Sequence, residues 1–173
     1  NELKPSVIND QYIRACINNY VDFETGDRVQ ARIALVDIDG TVADHYNQRS
    51  PFDWSKVYND KPRLYVIETL KALYDFGSID FIQFLSGRES ICYDDTMLWL
   101  QNVAGFDMTR HRLLMRQRKD NRKDVIIKSE IYENCIKDKY DIKFVFDDRN
   151  QVVDYWWDQK LPVFHVGDYR NVF

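Results

Sequence analysis

The stretch ALVDIDGTVAD, residues 34–44, decides the fold: an apolar run ends there in two carboxylates one residue apart and a Gly-Thr turn. Ile33, Leu35 and Val36 within residues 32–36 suit a short strand buried on both faces, and Gly40 allows the sharp exit such a strand needs. Asp37 and Asp39 then stand at the carboxyl end of the strand, where an open α/β sheet binds its ligands. Two carboxylates in such close quarters either hold Mg²⁺ or divide into a nucleophile and a general acid/base. An isolated Asp-Gly is more often a turn with solvated acids. The apolar strand before it and Thr41 after it make this one a candidate site.

Outward from that strand the pattern repeats. Residues 41–62 hold polar and turn residues around Ser50-Pro51 and Phe52-Asp53-Trp54. Lys61-Pro62 is expected to open a helix with the stripe Leu64, Ile67, Leu70, Leu73 and Tyr74, ended by Gly77. IDFIQFLSGRES, 79–90, reads as a second apolar strand running into the polar turn Ser86-Gly87-Arg88. A helix over 91–104 with Met97, Leu98, Leu100 and Val103 on its face follows, then a short strand over 110–116. Another helix, from about 122 to 137, carries Val125, Ile126, Ile131, Tyr132 and Ile136. IKFVFDDR, 142–149, is a further strand and ends in Asp147 and Asp148. Residues 150–159 form a helix with Val152, Val153, Trp156 and Trp157, and 161–168 an edge strand, where Pro162 is tolerated. Strands alternating with helices imply a parallel sheet wound on both sides by right-handed crossovers. Upstream, Tyr12, Ile13, Ile17, Tyr20 and Val21 have helical spacing before a turn at DFETGDR. Residues 1–31 therefore read as a helical extension or linker, and 32–173 as the functional domain.

With 173 residues, 45% of them hydrophobic and 14% aromatic, the chain is expected to form one domain around a sizeable core. No apolar stretch is long enough to span a membrane and NELKPSVIND has no signal-peptide pattern, so a cytoplasmic protein is expected, in the host cytoplasm if the source is viral. The chain does not open on Met, as expected for a piece of a longer one. Cys16, Cys92 and Cys135 share no metal-like or redox spacing and read as reduced structural thiols. The net charge of -4 argues weakly against nucleic acid as a partner, but an average hides patches. Residues 109–123, TRHRLLMRQRKDNRK, hold seven Lys or Arg against one acid, a candidate track for a phosphate backbone. His45, His111 and His165 have no partners at ligand spacing. Trp54, Trp156 and Trp157 read as core sooner than as base-stacking surfaces.

Three strand ends thus offer Asp37 with Asp39, Ser86 with Arg88, and Asp147 with Asp148, and a Lys-rich segment lies between the last two. Together they make a kit for phosphoryl transfer: a nucleophile, a metal cluster, and cations and hydroxyls for a phosphate's equatorial oxygens. In this order and spacing the sequence resembles the haloacid dehalogenase superfamily of aspartyl-phosphate enzymes. DIDGT resembles its first motif, FLSGR its second, a Lys within 123–128 its third and VFDD its fourth. SGRES, RKDVIIKSEIY, FDDRNQVVDYWW and RSPFDW resemble, more narrowly, the 3′-phosphatase domain of phage-type polynucleotide kinase-phosphatase, over roughly residues 32–168. No GxxxxGK[ST] loop is present, so the kinase half of that family is not expected in this chain.

The resemblance implies a three-layer, Rossmann-like parallel sheet without a large cap domain. It makes Asp37 the nucleophile that becomes an aspartyl-phosphate, and Asp39 the group that protonates the leaving 3′-oxygen and then activates water. Mg²⁺ would be held by Asp37, the backbone carbonyl of Asp39, and Asp147 or Asp148, with Asp147 the safer choice. Ser86 would donate to the phosphate and Lys128 neutralise charge on it and on Asp37. Lys128 is preferred because VIIKSEIY matches the family's spacing, although Lys123 lies near the expected place. Asp124 matches an acid that orients the Lys. Thr41, Arg49, Gly87, Arg88 and Asp124 are the implied substrate-side positions.

Small-molecule phosphatases of this superfamily commonly carry a cap between motifs one and two or two and three. The gaps 42–85 and 89–122 leave no room for a large one, so a site open to a bulky substrate is expected. The favoured function is a Mg²⁺-dependent polynucleotide 3′-phosphatase of nucleic-acid repair. A kinase or ligase, as upstream domain or partner protein, is its implied companion. The competing readings are a mononucleotide phosphatase with the same kit and a catalytically idle module that binds 3′-phosphate ends.

Overall fold

The computed structural model describes residues 20–21, 28–45, 49–50 and 52–167. Tyr20–Val21 (β1) pairs antiparallel with Arg28–Val29 (β2), so the helical spacing expected to run through Tyr20 and Val21 gives way to strand there. Tyr12, Ile13, Ile17 and Cys16 lie outside the described residues. Arg32–Val36 (β3) is the expected strand, and its side chains divide between two cores. Ala34 and Val36 join Val66, Ile67, Leu70, Trp99 and Leu100. Ile33 and Leu35 join Ile127, Ile131, Val152 and Trp156. Alternation across a strand sends successive residues to opposite faces, and both faces here are dry, so the sequence reads as an unbroken apolar run. Each such side chain fully buried stabilises by about 1.5–3 kcal/mol.

The chain continues through Ala43–Asp44 (β4), a 3₁₀ helix at Trp54–Asn59, Lys61–Pro62 (β5) and Leu64–Asp75 (α1). Phe81–Glu89 (β6), Tyr93–Asn102 (α2) and Arg112–Arg116 (β7) follow. Asp124–Ile131 (α3) runs on into a π-helical turn, Tyr132–Ile136, before Asp141–Asp147 (β8), Asn150–Asp158 (α4) and Val163–His165 (β9). The main sheet has five strands in the order β7-β6-β3-β8-β9, and every neighbouring pair is parallel. Residues of α1 and α2 build the core on one face and residues of α3 and α4 that on the other, giving the three-layer α/β fold. β3 is central, so its carboxyl end opens between those of β6 and β8.

Several local expectations are corrected. Lys61-Pro62 does not open the helix; it pairs antiparallel with Ala43–Asp44, because a residue before proline is disfavoured in helical conformation, and α1 begins at Leu64. Ser86 to Arg88 stay within β6 and do not turn out of it. The buried face of α2 is Thr96, Trp99 and Leu100, and Leu98 is exposed. Ile126 and Trp157, read as apolar-face residues, are also exposed, whereas Trp156 is buried. Cys92 and Cys135 are buried free thiols. Among the described residues, no large unit is inserted between β3 and β6 or between β6 and β7. No helix among them is long and apolar enough to cross a membrane.

Candidate active site

The exit from β3 is drawn into a tight knot in which the Ile38 carbonyl accepts from the N–H groups of Thr41, Val42 and Ala43. Gly40 has φ +85°, a left-handed conformation that only glycine adopts without strain. The knot keeps Asp37 on the sheet axis, its N–H donating to the Phe146 carbonyl of β8 at 2.9 Å. The carboxyl end of β8 stands beside it, and α3 supplies a lysine from the facing layer.

Asp37 and that lysine form the centre. Lys128 is buried and its Nζ donates to Asp37 Oδ1 at 2.7 Å and Asp147 Oδ2 at 2.9 Å. It also pairs with Asp124 Oδ2 at 3.4 Å. Burial works against the ammonium, but Asp124, Asp147 and Asp37 together hold its pKa well above the ordinary value. Thr41 Oγ1 donates to Asp37 Oδ2 at 3.2 Å. Lys123 is exposed, so the structure brings Lys128 and not Lys123 to Asp37. Asp124 faces Lys128, Arg149 and Arg116; burial raises its pKa, and these cations outweigh it and hold it low.

Asp37, Asp147 and Asp148 each bring a carboxylate oxygen within 4.8 Å of the others. Burial, opposed by Lys128 and aided by Asp147 and Asp148, lifts the Asp37 carboxyl well above its usual range. Burial and the neighbouring Asp147 push Asp148 up to about 6. Crowded anionic oxygens of this kind are relieved by a cation, and an all-oxygen donor set fits a hard divalent ion. The Asp39 side chain stands outside that trio. Its expected contribution to a metal is through its backbone carbonyl.

The Asp39 carboxylate belongs to a second cluster. Oδ1 accepts from Arg49 Nη2 at 2.8 Å and Arg88 Nη2 at 2.7 Å, and Oδ2 from Arg88 Nε at 3.0 Å. Burial works to raise the pKa of Asp39, and Arg88 with Arg49 overcomes it and holds the group below its usual range. Both guanidiniums are buried and both also grip Asp60, through Arg49 Nε at 2.8 Å and Arg88 Nη2 at 2.7 Å. Ser86 is buried at the end of β6, its Oγ accepting the Arg88 N–H at 3.2 Å. Gly87 lies so close to Asp124 that a Cβ would collide with the carboxylate.

Asp60 was missed in the sequence, and so were Arg149, Arg116 and Trp156 as parts of the site. Trp156 Nε1 donates to Asp147 Oδ2 at 3.2 Å. The basic segment 109–123 also divides. Arg110 pairs with Asp107 and Arg112 lies over the Phe81 ring, at the amino end of β7 and away from the site. Arg116 turns inward to Asp124, and Arg122 is clamped by Asp120 and Glu130. Arg118, Lys119 and Lys123 remain exposed at the carboxyl end.

A parallel sheet whose central strand ends in a Lys-paired aspartate beside two further carboxylates defines a phosphatase of the haloacid dehalogenase superfamily. Residues 31–169 match the family model described as "Polynucleotide kinase PNKP phosphatase domain", and the chain belongs to that family. It is 39% identical over 168 residues to the "Putative bifunctional polynucleotide kinase/RNA ligase" of Autographa californica nuclear polyhedrosis virus, covering 95% of this chain and 24% of that protein. A solved Pnkp1/Rnl/Hen1 complex contains a chain 34% identical, with TM-score 0.70, over 83% of this chain and 49% of that one. A second, a Pnkp1/Rnl/Hen1 RNA repair complex, gives 33% and TM-score 0.71 over 89% and 47%. The class C acid phosphatase of Bacillus anthracis shares the fold, with TM-score 0.51 at 18% identity over 76% of this chain and 62% of that one. The chain thus spans about a quarter of the viral relative and about half of the chains in the complexes.

Proposed function

We propose that this phosphatase is a Mg²⁺-dependent polynucleotide 3′-phosphatase that heals nucleic-acid ends, and that it works alongside a kinase or ligase in the cytoplasm. The observation that carries the reading is Asp37 held at 2.7 Å from Lys128 and within the Asp147–Asp148 trio. The family match supports a polynucleotide as the substrate. Asp37, fixed by Lys128 and Thr41, attacks phosphorus and becomes the aspartyl-phosphate. Mg²⁺, held by Asp37, Asp147 and Asp148 with the Asp39 carbonyl, would offset the repulsion between carboxylate and phosphate dianion.

The remaining groups divide the work around that step. Lys128 neutralises the nucleophile, and Asp124, kept ionised by its cations, holds Lys128 in place. Ser86 and the Gly87 backbone face the phosphate oxygens. Arg49 and Arg88, buried and balanced by Asp39 and Asp60, fix the Asp39 carboxylate and keep it ionised; it takes a proton from the water that hydrolyses the aspartyl-phosphate, and that proton is the one it gives to the leaving 3′-oxygen of the next turnover. Arg118, Lys119 and Lys123 give the strand a short cationic border, narrower than the whole basic segment.

The test is phosphate release, with Mg²⁺ and with chelator, from oligonucleotides phosphorylated only at the 3′ end or only at the 5′ end, beside 3′-mononucleotides. Metal-dependent release from the 3′ oligonucleotide, lowered by on the order of 10³-fold or more in Asp37→Asn, is expected. Turnover of mononucleotides alone would replace the polynucleotide reading with a small-molecule one. Retained end binding without turnover in the wild type would leave a recognition module.

A further inference from the structure

We propose that Phe52 is a stacking platform for the terminal nucleobase of the strand, a site that rests on the polynucleotide reading above. Phe52 is 79% exposed, and it lies in the loop that delivers Arg49 to Asp39. Its ring meets Trp54 edge-on, with centroids 6.2 Å apart and planes at 88°. Trp54 is half-buried and packs against the core beneath α1 and α2. The Arg49 guanidinium sits over the Trp54 ring, 5.7 Å from its centre, and the same guanidinium reaches Asp39 Oδ1 at 2.8 Å.

A continuous line of contacts therefore joins an exposed aromatic to the carboxylate that serves the leaving oxygen. That line ties Phe52, through Trp54 and Arg49, to the side of the site where Asp39 stands. The sugar that carries the leaving 3′-oxygen also carries the terminal base, and an exposed ring linked to Asp39 through Trp54 and Arg49 lies on the side of the site from which that base would come. The Trp54 ring meets the edge of Phe52, and Arg49, itself held by Asp39 and Asp60, lies over Trp54. A ring with a free apolar face is the usual receptor for a base in sequence-independent binding of single strands, since every base presents a π-face. Phe76 and Ile91 are exposed too, but no such contacts tie them to Arg49 and Asp39. The same site gives no reading of base identity, which suits an activity on ends of any sequence.

The experiment compares Phe52→Ala and Phe52→Tyr with the wild type on three phosphate esters. These are a single strand with an ordinary 3′-phosphorylated nucleotide, the same strand ending in a 3′-phosphorylated abasic residue, and glycerol 2-phosphate. F52A is expected to lose kcat/KM on the first by on the order of tenfold or more, mainly through KM, and to change by less than about twofold on the other two. F52Y should restore the first. Equal losses on base-bearing and abasic ends would mean that Phe52 only supports the loop, and no loss on any of them would assign its exposed face to something other than a base; either result overturns the proposal while the 3′-phosphatase reading stands. A wild type that hydrolyses glycerol 2-phosphate and leaves the strand untouched removes the polynucleotide reading and this site with it.

Discussion

Asp60 shows how much of the site rests on a single side chain that does no chemistry. Two buried guanidiniums converge on Asp39, and one carboxylate cannot balance both. Asp60, fully buried, supplies the second negative charge and bridges them. Its own backbone is tied down, with its carbonyl accepting from Trp99 Nε1 at 2.8 Å. Removing one member of a buried ion network leaves a charge uncompensated, at a cost of about 3–5 kcal/mol. Asp60→Ala is thus expected to lose stability of that order in denaturant titrations, and at least tenfold in kcat/KM as Arg49 and Arg88 drift from Asp39. Asp60→Asn, which keeps the acceptor oxygen, should lose less in both. An alanine variant with wild-type stability and turnover would show that Asp39 alone holds the arginines. Nothing around Asn59-Asp60-Lys61 announced this role, because its partners at 49 and 88 come from other segments and meet it only in the folded chain.

At the scale of elements, the site depends on how closely strand ends and turns approach one another. Gly40 sits under Asp148 and Gly87 under Asp124, and a Cβ at either would enter the carboxylate's space. Gly40 also carries φ +85°, so alanine there adds backbone strain of about 1 kcal/mol. Gly40→Ala is expected to push the Asp148 carboxylate aside, raising the Mg²⁺ concentration for half-maximal activity by roughly tenfold, a shift of about one log unit in affinity. Calorimetric Mg²⁺ binding should weaken in parallel. Unchanged Mg²⁺ binding would mean that Asp148 is not part of the cation site. Helix α4 contributes in the same way from the opposite layer. Trp156→Phe keeps an aromatic ring but drops the indole N–H that Asp147 accepts and leaves a small cavity in a buried position, and is expected to cost about 2–3 kcal/mol in stability together with a smaller loss of Mg²⁺ affinity.

For the whole molecule, the parallel sheet and the polar residues at its strand ends were legible because the strands are buried on both faces, whereas Lys128, Arg49 and Asp124 were reached only through the family resemblance. Asp37, Ser86, Arg88 and Asp147 follow directly from apolar runs that stop at polar residues. Helix faces were less legible: Leu98 and Ile126 fit a helical stripe, yet the packing chose Trp99 and Ile127, and of the expected pair Trp156 and Trp157 it buried only Trp156, since one residue's rotation changes a face and spacing alone does not fix it. Long-range polar pairing left still less trace, and His111 is the clearest instance. It had no role in sequence, but it is buried among Tyr74 and Phe106 and its Nδ1 accepts the Ile82 N–H at 3.1 Å, which requires the neutral ring. Burial pushes its pKa from 6.5 down to about 4, with Asp107 opposing and Arg110 assisting. A folded-state value below the unfolded one means that its contribution is complete above about pH 6.5 and is lost as pH falls toward 4. Between pH 7 and 5 this one group should withdraw about 1–2 kcal/mol. Carboxylates such as Asp39 and Asp124, held low in the folded state, add slope of the same sign, so the measurement is a difference: urea midpoints of the wild type and His111→Asn at pH 7 and pH 5. The variant, less stable at pH 7 but unable to gain a proton there, should lose measurably less on acidification. Parallel losses in the two proteins would mean that His111 titrates alike in the folded and unfolded chains.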